Sequence, residues 1–199
     1  MKRMLKALIL MISALLIVLG SSLYLIYNDR FYLKECKKLS TDCNESLDVL
    51  KYLENKGTLG NNFNIREISH MNDVKKLIEF ITISFLVLSA ILISVSLPFL
   101  LDKFKIKIYL GDYFFYAGIF SFSVILLFSV LSYFKFDLVF NLFHGLLFKS
   151  GTWIFSENDL LIKLFPIQFF IDTFFAIITI SIFTSVFLMV AGIVIKRFK

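Results

Sequence analysis

Four predominantly apolar stretches, each long enough to cross a bilayer, constrain this chain more than any other feature. They cover residues 7–27, 77–101, 109–131 and 169–195. A spanning helix needs about 20 apolar residues, and in hydrocarbon only a helix or a closed barrel satisfies its own backbone. Composition agrees: 58% of the 199 residues are hydrophobic, against roughly 45–50% in soluble domains. The expected fold is an all-α integral membrane protein, a single membrane domain over 1–199. It has four transmembrane helices, a small extracytoplasmic cap and an interfacial or re-entrant amphipathic helix. The first stretch exceeds the roughly 7–15 apolar residues of a cleaved signal, so it reads as a retained anchor.

A net charge of +6 raises the question of nucleic acid. Its distribution points elsewhere. Lys2, Arg3 and Lys6 precede the first span, Lys103, Lys105 and Lys107 fill the short second connection, and Lys196, Arg197 and Lys199 follow the last span. Basic clusters of this kind mark the cytoplasmic side. Both termini are therefore expected inside, with the connections 28–76 and 132–166 outside. Cys36 and Cys43 fall in the first of these. In an oxidising compartment they form a staple or remain two free thiols, and neither has a catalytic motif around it.

The chain has two histidines, His70 and His144, and this topology puts both at the outer face. Histidine is the side chain whose unperturbed pKa, about 6.5, lies nearest neutrality. In the first outer connection, 46–56 reads as a helix ending at Gly57. If the chain is already helical at His70, Asp73 lies one turn on and can orient the imidazole. Alternatively, Asp73 caps a helix beginning at Val74. In the second connection, Asp137, Asn141 and His144 recur at spacings of four and three. They place a polar stripe on an otherwise Phe- and Leu-rich helix over 134–148, with the stripe turned toward protein. Trp153 reads as an interfacial anchor, and Ser156 to Asp159 as a capping box before an apolar run ended by Pro166. Of the acids near span ends, Glu79 reads as snorkelling to the headgroups, whereas Asp172, further into its span, is a site candidate.

These residues exclude several chemistries. Serine hydrolysis needs an activated nucleophile, and no Gly-x-Ser-x-Gly is present. Zinc requires three or four ligands, but there is no His-Glu-x-x-His, so neither metal nor any other cofactor is expected. Two histidines suit proton transfer without a covalent enzyme intermediate, one acting as base and the other serving an oxyanion or leaving group. At headgroup depth the available substrates are lipids and lipid-modified proteins.

Two stretches carry a family resemblance. One is His70-Met71-Asn72-Asp73-Val74-Lys75. The other runs from Phe143-His144 through Trp153, Asp159-Leu160-Leu161-Ile162 and Phe165-Pro166 to Phe169-Phe170. With four spans in this order, they resemble the bacterial lipoprotein intramolecular transacylases (Lit). The resemblance implies an enzyme of the bacterial cell membrane. It would move the sn-2 acyl chain of an S-diacylglyceryl N-terminal cysteine to that cysteine's α-amino group, giving lyso-form lipoprotein. The family's two essential histidines would correspond to His70 and His144, and Asp73, Lys75, Asn141, Trp153, Asp159 and Asp172 are the candidates for substrate-binding or orienting roles. The partners implied are a diacylated lipoprotein and membrane lipid, without nucleic acid or an obligate protein partner. Pro166-Ile167-Gln168 departs from the acid expected after that proline. His70, oriented by Asp73, is the first choice for the base and His144 for the oxyanion or leaving group, and the roles can be exchanged. The alternative is a non-enzymatic scaffold or lipid-binding accessory protein. A transporter is disfavoured by the lack of a charge midway through any span.

Overall fold

The computed structural model describes residues 2–100, 106–149 and 151–197. Among these the regular structure is helical throughout: α1 (Lys2–Ile26), α2 (Asp29–Leu39), α3 (Cys43–Leu53), α4 (Ile65–Leu100), α5 (Ile106–Phe134), α6 (Phe136–Leu147), α7 (Leu160–Leu164) and α8 (Ile167–Arg197). Four helices are long and apolar enough to cross a membrane, over Met4–Ile26, Ile65–Leu97, Ile108–Phe134 and Ile167–Arg197. Lys103, Lys105 and Lys199, which enter the topology argument, lie outside the described residues.

The chain divides into two compact units. The first comprises Met1–Ser22, Thr82–Leu131 and Ala176–Lys199. Its outward surface is apolar, with Ile83, Leu86, Phe183 and Phe187 each more than half exposed. Such a surface is stable in hydrocarbon and would be a liability in water. Lipid is as apolar as leucine, so helix association here depends on close approach and hydrogen bonds. Both are present. A Cβ on Gly192 would sit 2.5 Å from the Phe115 backbone nitrogen, and one on Gly118 would sit 2.6 Å from the Ser185 carbonyl oxygen. Thus α5 and α8 touch at the backbone. Ser13 Oγ and Tyr113 Oη lie 2.8 Å apart, joining α1 to α5, and Ser181 Oγ donates to Ser21 Oγ at 2.9 Å, joining α1 to α8.

The second unit comprises Leu23–Ile81 and Ser132–Phe175. Its core is Val49, Leu53, Phe63, Met71, Ile78, Leu161, Leu164, Phe165 and Phe169, with Phe31 and Tyr32 packed against it. The expected helix over 46–56 is α3, starting and ending three residues earlier. Asp42 caps its N-terminus, accepting from the Asn44 and Glu45 N–H groups. The unanticipated α2 is capped by Asn28 and stopped by Ser40 in the left-handed region at φ 56°. A disulfide joins Cys36 to Cys43 with Cα atoms 5.3 Å apart, fastening α2 to α3. The largest difference from the sequence expectation is the start of α4. The helix begins at Ile65, twelve residues before the apolar run, and its 36 residues extend about 54 Å. His70 is therefore helical.

Candidate active site

The first turns of α4 bury one face. Glu67, His70, Met71 and Ile78 are buried and Val74 is half-buried, at spacings that recur on one side of a helix. The N-terminus of this helix carries a capping box. The Glu67 N–H donates to Asn64 Oδ1 at 3.0 Å, and the Asn64 N–H donates to Glu67 Oε2 at 2.7 Å. The other oxygen, Glu67 Oε1, accepts the Leu161 N–H of α7 at 2.8 Å. One carboxyl, only 1% exposed, therefore satisfies orphan donors at two helix starts. His70 follows it by less than one turn.

His144 reaches the same place from α6. Its ring is nearly parallel to that of His70, at an interplanar angle of 24° with centroids 6.4 Å apart. Phe148 packs against both rings, at 4.9 Å from His70 and 5.5 Å from His144. Phe155 closes on His70 at 5.4 Å. Phe140 and Trp153 close on His144 at 4.1 and 4.9 Å. Both histidines are 8% exposed.

Their hydrogen bonding differs. His144 Nδ1 lies 2.8 Å from the Phe140 carbonyl oxygen one turn back. A carbonyl only accepts, so Nδ1 carries the proton and the neutral ring presents Nε2 as a lone pair. Burial pushes the His144 pKa below its ordinary 6.5, and the hydrogen bond to Phe140 opposes this. His144 is thereby kept neutral and competent as a base near pH 7. His70 Nδ1 is buried without a hydrogen-bond partner, as is Trp153 Nε1.

The remaining candidates are placed as follows. Asp73 Oδ1 lies 3.4 Å from Lys76 Nζ. Lys75 Nζ lies over the Tyr52 ring, 4.4 Å from its centroid. Asn141 is exposed, as is Asp137, so only His144 of that stripe is buried. Asp159 Oδ2 accepts from Ser156 N–H at 2.7 Å and Oγ at 3.1 Å, and Oδ1 accepts from Asn64 Nδ2 at 3.0 Å. With Arg66 also 3.4 Å away, these donors, the Ser156 N–H foremost, hold its carboxyl below the usual range. Asp172 pairs with Lys38 at 2.6 Å and accepts from Gln168 at 3.1 Å, so Gln168, where an acid was expected, serves as a donor. The structure thus brings together His70, His144 and Trp153. Phe148, Phe155 and Glu67 escaped the sequence reading. Glu67 had a signal in the Asn64-x-x-Glu67 box, whereas the phenylalanines are lost among twenty-five of their kind. Among the described residues no group of three or more His, Cys, Asp or Glu side chains is arranged to hold a metal ion.

An all-helical membrane protein with two enclosed imidazoles defines the class. Residues 7–170 match the family model of the lipoprotein intramolecular transacylase Lit, and the chain belongs to that family. The fold is similar to that of the membrane integral lipoprotein intramolecular transacylase Lit of Bacillus cereus, with a TM-score of 0.81, 18% identity, and 99% of this chain and 98% of that one covered. A structure of the same Bacillus cereus protein with a histidine-to-alanine mutation gives a TM-score of 0.77 at 18% identity, covering 99% and 96%. An uncharacterized protein of Aquifex aeolicus (strain VF5) is 31% identical over 136 residues, 68% of this chain. The match spans 59% of that relative's length.

Replacing Glu67 with Ala should lower stability by about 1–3 kcal/mol, the cost of a buried N–H left unpaired. Thermal unfolding in detergent, compared with exposed Glu157→Ala, measures this. Equal melting temperatures for the two variants would contradict the clamp.

Proposed function

We propose that this chain moves the sn-2 acyl chain of an S-diacylglyceryl N-terminal cysteine to that cysteine's own α-amino group, leaving a lyso-form lipoprotein. The observation that carries this reading is the pair of enclosed, nearly parallel imidazoles, one of which has its tautomer fixed on a backbone carbonyl. Family membership supplies the substrate class.

In this reading the neutral α-amine attacks the ester carbonyl carbon. His144 Nε2 takes the proton released from the attacking nitrogen. The new C–N bond forms, the bond from carbonyl carbon to glyceryl oxygen breaks, and the proton passes to that oxygen. One ester becomes one amide and one hydroxyl, with no net gain or loss of protons. His70 faces the same reacting group and donates a hydrogen bond to it. These assignments exchange the roles first expected, because the tautomer-fixing partner belongs to His144 while Asp73 lies beside Lys76. The α-amine titrates at about 7.7–8.0, so a weak base suffices. Nucleophile and ester share one molecule, and such alignment can contribute about 7–11 kcal/mol in favourable cases. No enzyme nucleophile is needed.

The exposed apolar residues Leu138, Leu142, Leu146 and Leu147 of α6 suit a helix lying at headgroup depth, where the substrate's acyl chains reside. In this reading α6 and both histidines face the outer leaflet, and the termini face the cytoplasm. Asp159 supports the site through Asn64 and Arg66 at the start of α4, and Asp172, Lys75, Asp73 and Asn141 take no assigned role in the reaction.

His70→Ala and His144→Ala should each remove lyso-form lipoprotein while the protein stays in the membrane. Lost proton-transfer steps cost about 10²–10⁴-fold. Mass spectrometry of lipoprotein N-terminal peptides reads this, and near-normal product from a folded variant would refute that residue's role.

The acid limb should show two regimes. Between about 6.5 and 7.7, where only the substrate amine is protonated, log kcat/KM rises with unit slope. His144, its pKa held down by burial, adds a second proton only below 6.5. A two-proton slope already above 6.5 would contradict a buried neutral base.

Orientation is testable by labelling single introduced cysteines in a chain whose native cysteines are replaced. Reagents applied from outside should reach residues 28–76 and spare 102–108. The reverse pattern would place both histidines inside and overturn this arrangement.

A further inference from the structure

Trp153 is packed for a task that its position as an anchor does not explain. Its ring centroid lies 4.9 Å from that of His144 at an interplanar angle of 38°. Its Nε1–H is buried and has no hydrogen-bond partner. An indole N–H is a donor only, and a tryptophan acting as a membrane anchor keeps that polar edge toward wet headgroups. Here the polar edge is turned inward instead, beside the proposed base. The turn that presents it is held in place. Thr152 donates to the Lys149 carbonyl through its N–H at 3.2 Å and its hydroxyl at 2.8 Å, next to Gly151 at φ +80°.

We propose that Trp153 is a catalytic residue whose indole N–H donates to the substrate's ester carbonyl oxygen and strengthens that bond as the oxygen becomes an oxyanion. The inference rests on the transacylase reading of the same site. Attack by the amine moves the carbonyl π electrons onto oxygen, and collapse returns them as the glyceryl oxygen leaves, so the donor is neither consumed nor deprotonated. A buried, preorganised donor beside the reacting group needs no reorganisation when the charge develops, which is the condition under which such donors are most effective. His70 Nδ1, likewise buried and unpartnered, can contact the same oxygen when it carries the ring proton.

The test replaces Trp153 with 3-benzothienylalanine, which keeps the bicyclic shape and loses only the N–H, and in parallel with Phe. Transfer is measured in detergent with a synthetic diacylglyceryl-cysteine peptide. The expected result for both is a fall in kcat of about 10²–10³-fold, with KM within about twofold and the pH dependence unchanged. Unchanged kcat in the benzothienyl variant would overturn the proposal, as would a raised KM with kcat intact, which would make the indole a ground-state contact. Absence of transfer by the unmodified protein would overturn the transacylase reading itself, and this assignment with it.

Discussion

The hydrogen bonds of one buried carboxyl organise the unit that holds both histidines. Glu67 completes the capping box at the start of α4 and, through its second oxygen, takes a backbone N–H at the start of α7. The first turn of α4 is thereby fixed twelve residues before the apolar run begins, and His70 is carried on it. The start of α7 follows Ser156 and Asp159, and Phe155, which packs on His70, lies just before them. Asn64 and Arg66 reach Asp159 from the same turn of α4. Fixing the helix start and fixing the aromatic wall are thus one event. Removing the carboxyl would loosen both, which is why a group without proposed contact to substrate matters to the site.

The enclosure gives the imidazoles their character. Phe148 touches both rings, and Phe140, Phe155 and Trp153 complete the surround. Apolar walls disfavour the charged form of a buried base, and the Phe140 carbonyl fixes which nitrogen carries the proton. A weak, neutral base is adequate when the nucleophile is an amine already attached to its acyl donor. The proposed chemistry therefore asks for orientation and for stabilisation of developing charge, and not for an activated side-chain nucleophile. The disulfide takes both cysteines of the chain, consistent with that division of labour.

Much of the fold was legible because hydrophobic length is a direct consequence of bilayer thickness. The four spans were found, and the interfacial helix was expected over 134–148 where α6 covers Phe136–Leu147. Helix starts were less legible. The apolar run from 77 marks where α4 meets hydrocarbon, while its true start is set by the polar pair Asn64 and Glu67. Helix α2 did carry a periodic signal, since Tyr32, Cys36 and Leu39 recur at spacings of four and three on its buried side, but it is short and polar on average and stands out less than the long apolar runs. The site was half legible. Rarity singled out His70 and His144, but the stripe Asp137–Asn141–His144 did not behave as one face. At about 100° per residue, His144 lies roughly 40° from Phe140 on the edge nearest the aromatic side. It is drawn inward while Asp137 and Asn141 face out. Which histidine has the fixed tautomer depended on a backbone carbonyl, and side-chain patterns do not reveal one.

The claim that most needs measurement is that the acyl chain passes directly between two groups of one substrate molecule. Two diacylglyceryl-cysteine peptides of different mass, one bearing isotopically heavy acyl chains and the other light, should be turned over together by the purified protein. Direct transfer predicts that each peptide carries only its own acyl label on the α-nitrogen, and that intact-protein mass spectrometry finds no acyl group on the enzyme during turnover. Heavy acyl chains on the light peptide, or an acylated protein that passes its acyl group to substrate, would contradict the account.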